Sequence, residues 1–363
     1  MNICLIGDGL TNLVLAKTLI EKNIKVSLYY NHPKRKLYNT RTLGISKNNY
    51  DFIQNKIIKA EKLFWPINLI KIFTEKSQSN KILSFGENKQ KLFYIIENRK
   101  LYKKIETTIK KNKNFKKIKI KNQLFYQKIL NSNKFDLVIN SEKNNLITNK
   151  IFYKKISKDY NSVAVTGFIN HKKCKNNEAI QIFTSIGPLA FLPISSTKTS
   201  IVYSIYNYNF LTENKIKDLI LKYNNTYKIK YFSKFEKFRL KFSLNRNYFY
   251  KNILCFGDNL HSIHPLAGQG FNMILRDIKI LLEIIDNKIN LGLPLDISVL
   301  YDFEYKTKHL NYIFSAGVDF IYEFFKLESK IKNNIFSKTV KLIGKNKIAN
   351  NFFKKIADKG IVI

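Results

Sequence analysis

Short unbroken apolar runs alternate with helical apolar stripes through the first part of the chain. Residues 3–6 (ICLI) form a run closed by Gly7 and Asp8 and read as a buried strand. Residues 13–22 read as a helix, and residues 25–30 (KVSLYY) as a second strand. This strand–turn–helix–strand order is that of a βαβ unit. Residues 41–46 lead into a helix over 48–62, with Ser46 as its N-cap. Phe64-Trp65-Pro66-Ile67 breaks that helix, and short strands are predicted over 69–73, 82–85 and 92–96. Glu97-Asn98 opens a helix over 99–111. Residues 110–121 set Phe115, Ile118 and Ile120 among lysines, the pattern of an edge strand guarded by charge. Residues 135–140 (FDLVIN) read as another buried strand.

At residue 162 the rhythm changes. Strands are predicted over 163–169, 179–183, 188–193 and 199–205, with Asn176, Gly187 and Ser196 in the turns. A helix capped by Thr212 runs to 223, and a strand follows near 238–244. The first rhythm returns with the strand-like run 252–256. Beyond it, Phe271, Ile274, Leu275, Ile278, Leu281 and Leu282 fall at helical spacing. From 296 the chain reads as helical, with a long helix over 300–325 and a lysine-interleaved one over 331–356. The latter pattern suits a helix packed on the body with a wet lysine face, or one lying on an anionic membrane. The predicted class is α/β. A Rossmann-like domain (1–75, 97–160 and 252–296) is interrupted by a mostly antiparallel β-sheet domain (76–96 and 161–251). A C-terminal helical region (297–363) follows.

Composition narrows the partners. Hydrophobic residues make up 45% and aromatics 14% of the 363 residues, which argues for packed cores rather than disorder. The formal charge of +38 invites a search for nucleic acid, but the excess is nearly all lysine. Arginine, the better reader of phosphates and bases, stands only at 35, 41, 99, 239, 246 and 276. Asparagine, isoleucine, phenylalanine and tyrosine are abundant while glycine and proline are scarce, as AT-rich codons produce. A solvated lysine surface is therefore expected, and no nucleic acid. Cys4 and Cys255 sit in apolar runs, no cysteine or histidine spacing suits zinc, and an odd, sparse thiol set fits a reducing compartment. The run at 3–6 is not a signal peptide, and no stretch reaches the ~18 apolar residues of a membrane span. The expected location is cytoplasmic, with peripheral contact at the inner membrane as its furthest reach toward lipid.

Two stretches carry candidate chemistry. Gly7-Asp8-Gly9 stands at the end of the first strand, where a dinucleotide fingerprint belongs. There Asn12 takes the place of the third glycine, and Tyr30 that of the acidic residue after the second strand. Residues 257–277, GDNLHSIHPLAGQGFNMILRD, form a strand end, a glycine-punctuated loop and a helix start. Such a loop gathers backbone N–H groups and a positive helix end at one spot, which suits an anionic or electron-rich ligand. It concentrates Asp258, His264, Pro265, Gln269 and Asn272 around Gly268 and Gly270. Arg41, one of the few arginines, lies one element after the βαβ unit and offers a planar fork to a phosphate. His261 and His264 with Asp258 are not expected to hold a metal.

The 257–277 stretch resembles the second flavin-binding motif of the para-hydroxybenzoate-hydroxylase-like flavoprotein monooxygenases. Among these it is most similar to the ubiquinone-biosynthesis hydroxylases. Arg41-Thr42-Leu43-Gly44-Ile45-Ser46, Ile96-Glu97-Asn98-Arg99-x-Leu101 and Gly187-Pro188-Leu189-Ala190-Phe191-Leu192-Pro193 resemble further segments of that family, in its order. The resemblance implies an FAD enzyme whose β-sheet domain receives the substrate. In the family NADH or NADPH, a transient donor, reduces the flavin, and O₂ adds to give a flavin hydroperoxide that hydroxylates an electron-rich ring. The implied substrate is a polyprenylated phenol of ubiquinone biosynthesis. Gly7 and Gly9, with Asn12 in the same turn, are expected on the ADP pyrophosphate, and Arg41 on the ADP side. Asp258 is expected near the ribityl-pyrophosphate, and Pro265, Gly268, Gln269, Gly270 and Asn272 along the isoalloxazine. The family's Asp-Gly pair, expected after the strand over 135–140, reads Glu142-Lys143 here. With Asn12 and Tyr30, these departures fall at the ADP half. The competing expectation is therefore a weak or inactive paralogue serving as a scaffold in a quinone-biosynthesis complex.

Overall fold

A computed structural model describes residues 1–31, 39–75, 83–86, 91–132, 134–206, 211–265 and 268–331. The apolar runs of the first rhythm become a six-stranded sheet. Its order is Phe249–Tyr250, Ile253–Cys255, Leu137–Asn140, Asn2–Ile6, Lys25–Tyr30, Phe115–Lys119. All neighbours are parallel except the first pair. Parallel strands are covered on both faces, so they read as continuous apolar runs. Ile3, Leu5, Leu137, Ile139 and Leu254 are accordingly buried in one core with Leu13, Leu15, Leu101 and Ile105 from the helices Leu10–Ile20 and Asn98–Ile109. The lysine-rich Phe115–Lys119 strand takes the sheet edge, as its charge pattern predicts.

The second rhythm becomes a nine-stranded sheet. Its main path is His261–Ser262, Glu236–Asn245, Lys155–His171, Lys198–Tyr206, Gly187–Ser195, Glu178–Thr184, Leu69–Thr74, Leu83–Phe85, and Ile229–Phe232 pairs beside Lys155–His171. Pairing is antiparallel except between Leu69–Thr74 and Glu178–Thr184. The seams therefore lie elsewhere than at 75/76 and 160/161. Leu69–Thr74 already belongs to this sheet, and Lys155–His171 enters it six residues before the drawn boundary. Phe93–Glu97 pairs instead with Thr42–Ser46 and Trp65–Ile67 in a separate three-stranded sheet. Apolar alternation identifies a strand but not which sheet receives it.

Helix boundaries differ where side chains decide them. The helix expected over 48–62 runs Lys47–Lys56, followed by a 3-10 turn at Glu61–Leu63. Ser46 stands at its N-cap, but without a side-chain capping bond. Helices Leu124–Asn131 and Leu146–Ile151 were not read from the pattern; they are eight and six residues long, too short for a clear helical stripe. Asn145 caps the second, its Oδ1 accepting from the Thr148 N–H at 2.8 Å. The Ile297–Ile331 helix extends the one expected over 300–325. The helix expected over 331–356, the rest of the 297–363 region and Ile82 lie outside the described residues. Among the described residues no helix is long and apolar enough to cross a membrane.

Ile297–Ile331 is fastened to the large sheet by hydrogen bonds and by ion pairs from Lys158 to Asp319 and Glu323. Tyr160 donates its hydroxyl to Asp319 Oδ1 at 2.8 Å, and the hydroxyls of Ser162 and Tyr322 lie 3.1 Å apart. Tyr322 is buried there against Tyr160 and Tyr206.

Gly187 offers a test of the sheet. Its φ is +139°, and a Cβ built on it would lie 1.9 Å from the Ser204 carbonyl oxygen, a backbone atom with no rotamer to yield. Gly187→Ala should lower the stability of the fold by about 2–4 kcal/mol, measured by urea unfolding.

Candidate functional site

The two sheets face a shared cavity of about 1220 Å³. Single small-molecule pockets run to roughly 1,000 Å³, so this volume can hold a large ligand together with a second molecule. One end lies at the carboxyl ends of the parallel strands, where open α/β sheets bind ligands. The other is walled by the large sheet and by residues of the Ile297–Ile331 helix. Gly7, Gly9, Arg41, Asp258, Pro265, Gly268, Gln269 and Gly270 all line this one cavity. Asn12 and Asn272 do not. Both are buried and act on the walls.

At the strand end, Gly7 turns the chain with φ +101° and donates its N–H to the Tyr29 carbonyl at 2.8 Å. Gly9 precedes the Leu10–Ile20 helix in extended conformation, and no side chain caps that helix. Its first N–H groups therefore remain for a ligand. Asn12 donates through Nδ2 to the carbonyls of Ile6 at 2.9 Å and Gly7 at 2.7 Å, so its amide ties the turn from beneath. The loop after Leu137–Asn140 is knitted by side chains. Asn145 Nδ2 donates to Asn140 Oδ1 at 2.9 Å, and Asn140 Nδ2 to Thr148 Oγ1 at 2.9 Å. Asn259 Nδ2 reaches Thr148 Oγ1 at 3.1 Å and joins this loop to the Gly257–Asn259 turn that carries Asp258.

Glu142 and Lys143 both face the cavity. Tyr126 donates its hydroxyl to Glu142 Oε2 at 3.2 Å. Burial, and then the Glu142 charge beside it, push the Tyr126 phenol up from its usual range, so it remains a donor. Lys143 Nζ donates to Ser262 Oγ at 3.1 Å, crossing from one wall of the cavity to the other.

The helix Gln269–Asn290 starts behind Gly268, which has φ +66°. A Cβ there would lie 3.0 Å from Gly44 N and 3.1 Å from Gly44 Cα. The loop and the Thr42–Ser46 strand thus touch backbone to backbone. Asn272 holds the contact. It donates through Nδ2 to the Gly44 carbonyl at 2.9 Å, and its Oδ1 accepts from the Ser46 N–H and from Asn49 Nδ2, each at 3.0 Å. On the far side Thr40 donates to Glu236 Oε2 from its N–H at 2.9 Å and its hydroxyl at 2.6 Å, and the hydroxyls of Thr42 and Ser200 lie 2.9 Å apart. Arg41 is therefore carried on a segment fixed to both halves.

The two histidines of the loop have separate fates. His261 lines the cavity, and its Nε2 lies 2.7 Å from Asp277 Oδ2. Burial opposes ionisation of Asp277, but the Arg276 guanidinium and His261 outweigh it and hold the carboxyl below its ordinary range. Asn311 donates to the same carboxylate at 3.3 Å and to Tyr248 Oη at 3.1 Å, tying the long helix to the site. His264 lies against the Tyr322 ring at 4.2 Å and the Tyr160 ring at 5.3 Å, and neither ring nitrogen has a hydrogen-bond partner among the described residues. Among those residues no group of three His, Cys, Asp or Glu is placed to hold a metal.

Sequence reading missed the contribution of the long helix, whose Ile313, Phe314, Gly317, Val318, Phe320 and Phe324 wall the apolar end. Their spacing is that of any packed helix, so no local signal marks them. The His261–Asp277 pair was within reach, since both belong to the 257–277 stretch. The bond of Lys143 to Ser262 joins distant segments and could not be read from either.

No family model matches the chain. Its fold is that of FAD-dependent monooxygenases. It superposes on p-nitrophenol 4-monooxygenase PnpA from Pseudomonas putida DLL-E4 with a TM-score of 0.75, at 11% identity, over 97% of each chain. With HpxO of Klebsiella pneumoniae complexed with FAD and uric acid the TM-score is 0.73, at 11% identity, over 99% of this chain and 97% of the other. By sequence the chain is similar to ubiquinone-biosynthesis hydroxylases. One is the mitochondrial ubiquinone biosynthesis monooxygenase COQ6 of Dictyostelium discoideum, 23% identical over 96% of this chain and 85% of that protein. Another is ubiquinone hydroxylase UbiL of Rhodospirillum rubrum, 23% identical over 46% of this chain and 41% of that protein. The resemblance carried by the 257–277 stretch is thus met in both fold and sequence.

His264 gives this site a pH signature. Burial lowers its pKa to about 3, so it is neutral when folded and protonates near its ordinary value when unfolded. Between these values the unfolded chain binds more protons, so stability falls as pH drops from about 6.5 toward 3. Relative to pH 7, the parent should lose about 2 kcal/mol at pH 5 through this group alone. His264→Phe, which keeps the ring stack, should remove that part of the slope in paired urea titrations at the two pH values.

Proposed function

We propose that the chain is an FAD-dependent monooxygenase that hydroxylates the aromatic ring of a polyprenylated phenol in ubiquinone biosynthesis, with NADH or NADPH as electron donor. The observation that carries this reading is the single cavity. One end is lined by the Gly7–Gly9 turn and the start of the first helix, and the other is an apolar chamber between the large sheet and a long helix. The relatives named for ubiquinone hydroxylation support the substrate class.

The residues present fit FAD. Gly7, Gly9, Gly268 and Gly270 present backbone without a side chain to the cavity, and the Leu10–Ile20 helix leaves its N-terminus without a side-chain cap. When bound, FAD supplies the chemistry of hydride acceptance and oxygen activation. The protein supplies position and field. The Gly7–Gly9 turn and the first helix would meet the diphosphate, with Arg41 beside it. Gly268, Gln269 and Gly270 would bring the start of a 22-residue helix to the ring, and its positive end would stabilise negative charge there. Ile72, Ile180, Phe183, Leu192 and Val202 line the apolar end. They would exclude water around the phenol and accept part of its tail.

A second reading concerns partners. Ile313, Phe320 and Ile321 both line the cavity and are exposed, 68% for Phe320, so the apolar end opens onto the outer face of the long helix. This favours contact with an apolar surface at that mouth, whether a membrane or a component of a quinone-biosynthesis complex. Cosedimentation with vesicles, compared between parent and Phe320→Ser, separates these two.

The purified protein should be yellow, with a flavin absorption spectrum, and should oxidise NAD(P)H faster when a prenylated phenol is added. Protein that stays colourless after incubation with FAD would turn the reading to the scaffold alternative. Gly268→Val, which drives a branched side chain into Gly44, should cut the flavin-to-protein ratio about tenfold or more, measured by absorbance after gel filtration.

A further inference from the structure

The end of the cradle that would meet the adenosine of a dinucleotide has its charges rearranged. A carboxylate at the end of the second parallel strand is the usual reader of the ribose hydroxyls, and here that position is Tyr30. The neighbouring edge strand, Phe115–Lys119, pairs with Lys25–Tyr30 in parallel register. It brings Lys117 to the same place. The Lys117 ammonium lies 5.0 Å from the centroid of the Tyr30 ring, 2.7 Å from Glu106 Oε1 and 3.8 Å from Asp8 Oδ2. Asp8 is the residue between the two cradle glycines and lines the cavity. Beside a diphosphate its carboxylate is a like charge and repels.

We propose that Lys117 is a positioning residue for the cofactor, and that its ammonium, acting through Asp8 in place of the usual carboxylate, makes the adenosine end of the site receptive to the anionic dinucleotide. This rests on the reading of the cavity as an FAD site. Glu106 anchors the lysine from the helix Asn98–Ile109. The Tyr30 ring supports it from the strand through a cation–π contact. Lys117 itself lies behind the cavity lining; held this way, its cation is 3.8 Å from the Asp8 carboxylate, which does line the cavity, and offsets that charge where the diphosphate would lie. The adenylate half of FAD is then gripped through Lys117, and the flavin half through the Gly268 loop. FMN, which has no adenylate half, should be indifferent to Lys117.

Apo-protein, parent and variants, should be titrated with FAD and with FMN, following flavin fluorescence, with thermal melting of each apo-variant to confirm an unchanged fold. Lys117 is an edge-strand side chain with partial exposure, so Lys117→Ala should melt with the parent. It should weaken FAD binding about tenfold and leave FMN binding within about twofold. Lys117→Arg should restore most of the FAD affinity. Lys117→Ala that binds FAD as tightly as the parent, or that loses FAD and FMN in equal measure, overturns the proposal. A parent chain that takes up neither flavin overturns the FAD reading itself, and the parent titration reveals this before any variant is compared.

Discussion

The side-chain amide of Asn272 meets the Gly44 carbonyl and the Ser46 N–H as a neighbouring strand would. This one group joins the start of the Gln269–Asn290 helix to the Thr42–Ser46 strand, and much of the site depends on it. The helix start fixes the Gly268 loop. The strand, through Thr40 and Thr42, fixes the large sheet. A Cβ on Gly268 would lie 3.0 Å from the Gly44 nitrogen, so the contact favours a residue without one, and φ +66° favours glycine there as well. The cavity is thus held at its middle, where its two ends change character.

From that middle the two ends are built by different means. The strand end relies on backbone: a bare turn, an uncapped helix and carbonyls tied by Asn12. The far end relies on packed side chains of the large sheet and of a 35-residue helix. That helix reports back to the loop through Asn311, which shares the Asp277 carboxylate with His261. A shift of the long helix would therefore be felt at the cavity wall. A buried carboxylate that lost one of these partners would carry an uncompensated charge, which is costly in a low-dielectric interior.

How much of this was legible follows from how local each signal is. The βαβ unit and the 257–277 loop were readable because strand, turn and helix signals follow one another within about thirty residues. The antiparallel strands were readable for the same reason. The membership of Leu69–Thr74 was not, because its parallel partner Glu178–Thr184 lies over a hundred residues away. The helices at 124–131 and 146–151 were hidden, the latter because its cap belongs to an asparagine–threonine network that exists only in the fold. At the site, residues chosen for backbone reasons, such as Gly7 and Gly268, are found on the lining. Asn12 and Asn272 were chosen by their place in a motif, and they lie behind it. A motif records which positions matter together, not which of them face the ligand.

The four departures from the family pattern can now be weighed in space. Each has found a local partner. Asn12, where a third glycine would allow close packing, is buried and spends its amide on two turn carbonyls, although its Oδ1 has no partner among the described residues. Glu142 is bonded by Tyr126, and Lys143 by Ser262 across the cavity. Tyr30 lies under the Lys117 ammonium. A site losing its ligand has no reason to satisfy the groups that line it, since exposed side chains can remain in water. Here the groups around the turn are partnered: Lys117 lies 2.7 Å from Glu106 and 3.8 Å from Asp8, Glu142 accepts from Tyr126, and Lys143 donates to Ser262. The balance of contacts favours an adenosine end rebuilt with different charges over one that has decayed, and so favours the enzyme over the scaffold.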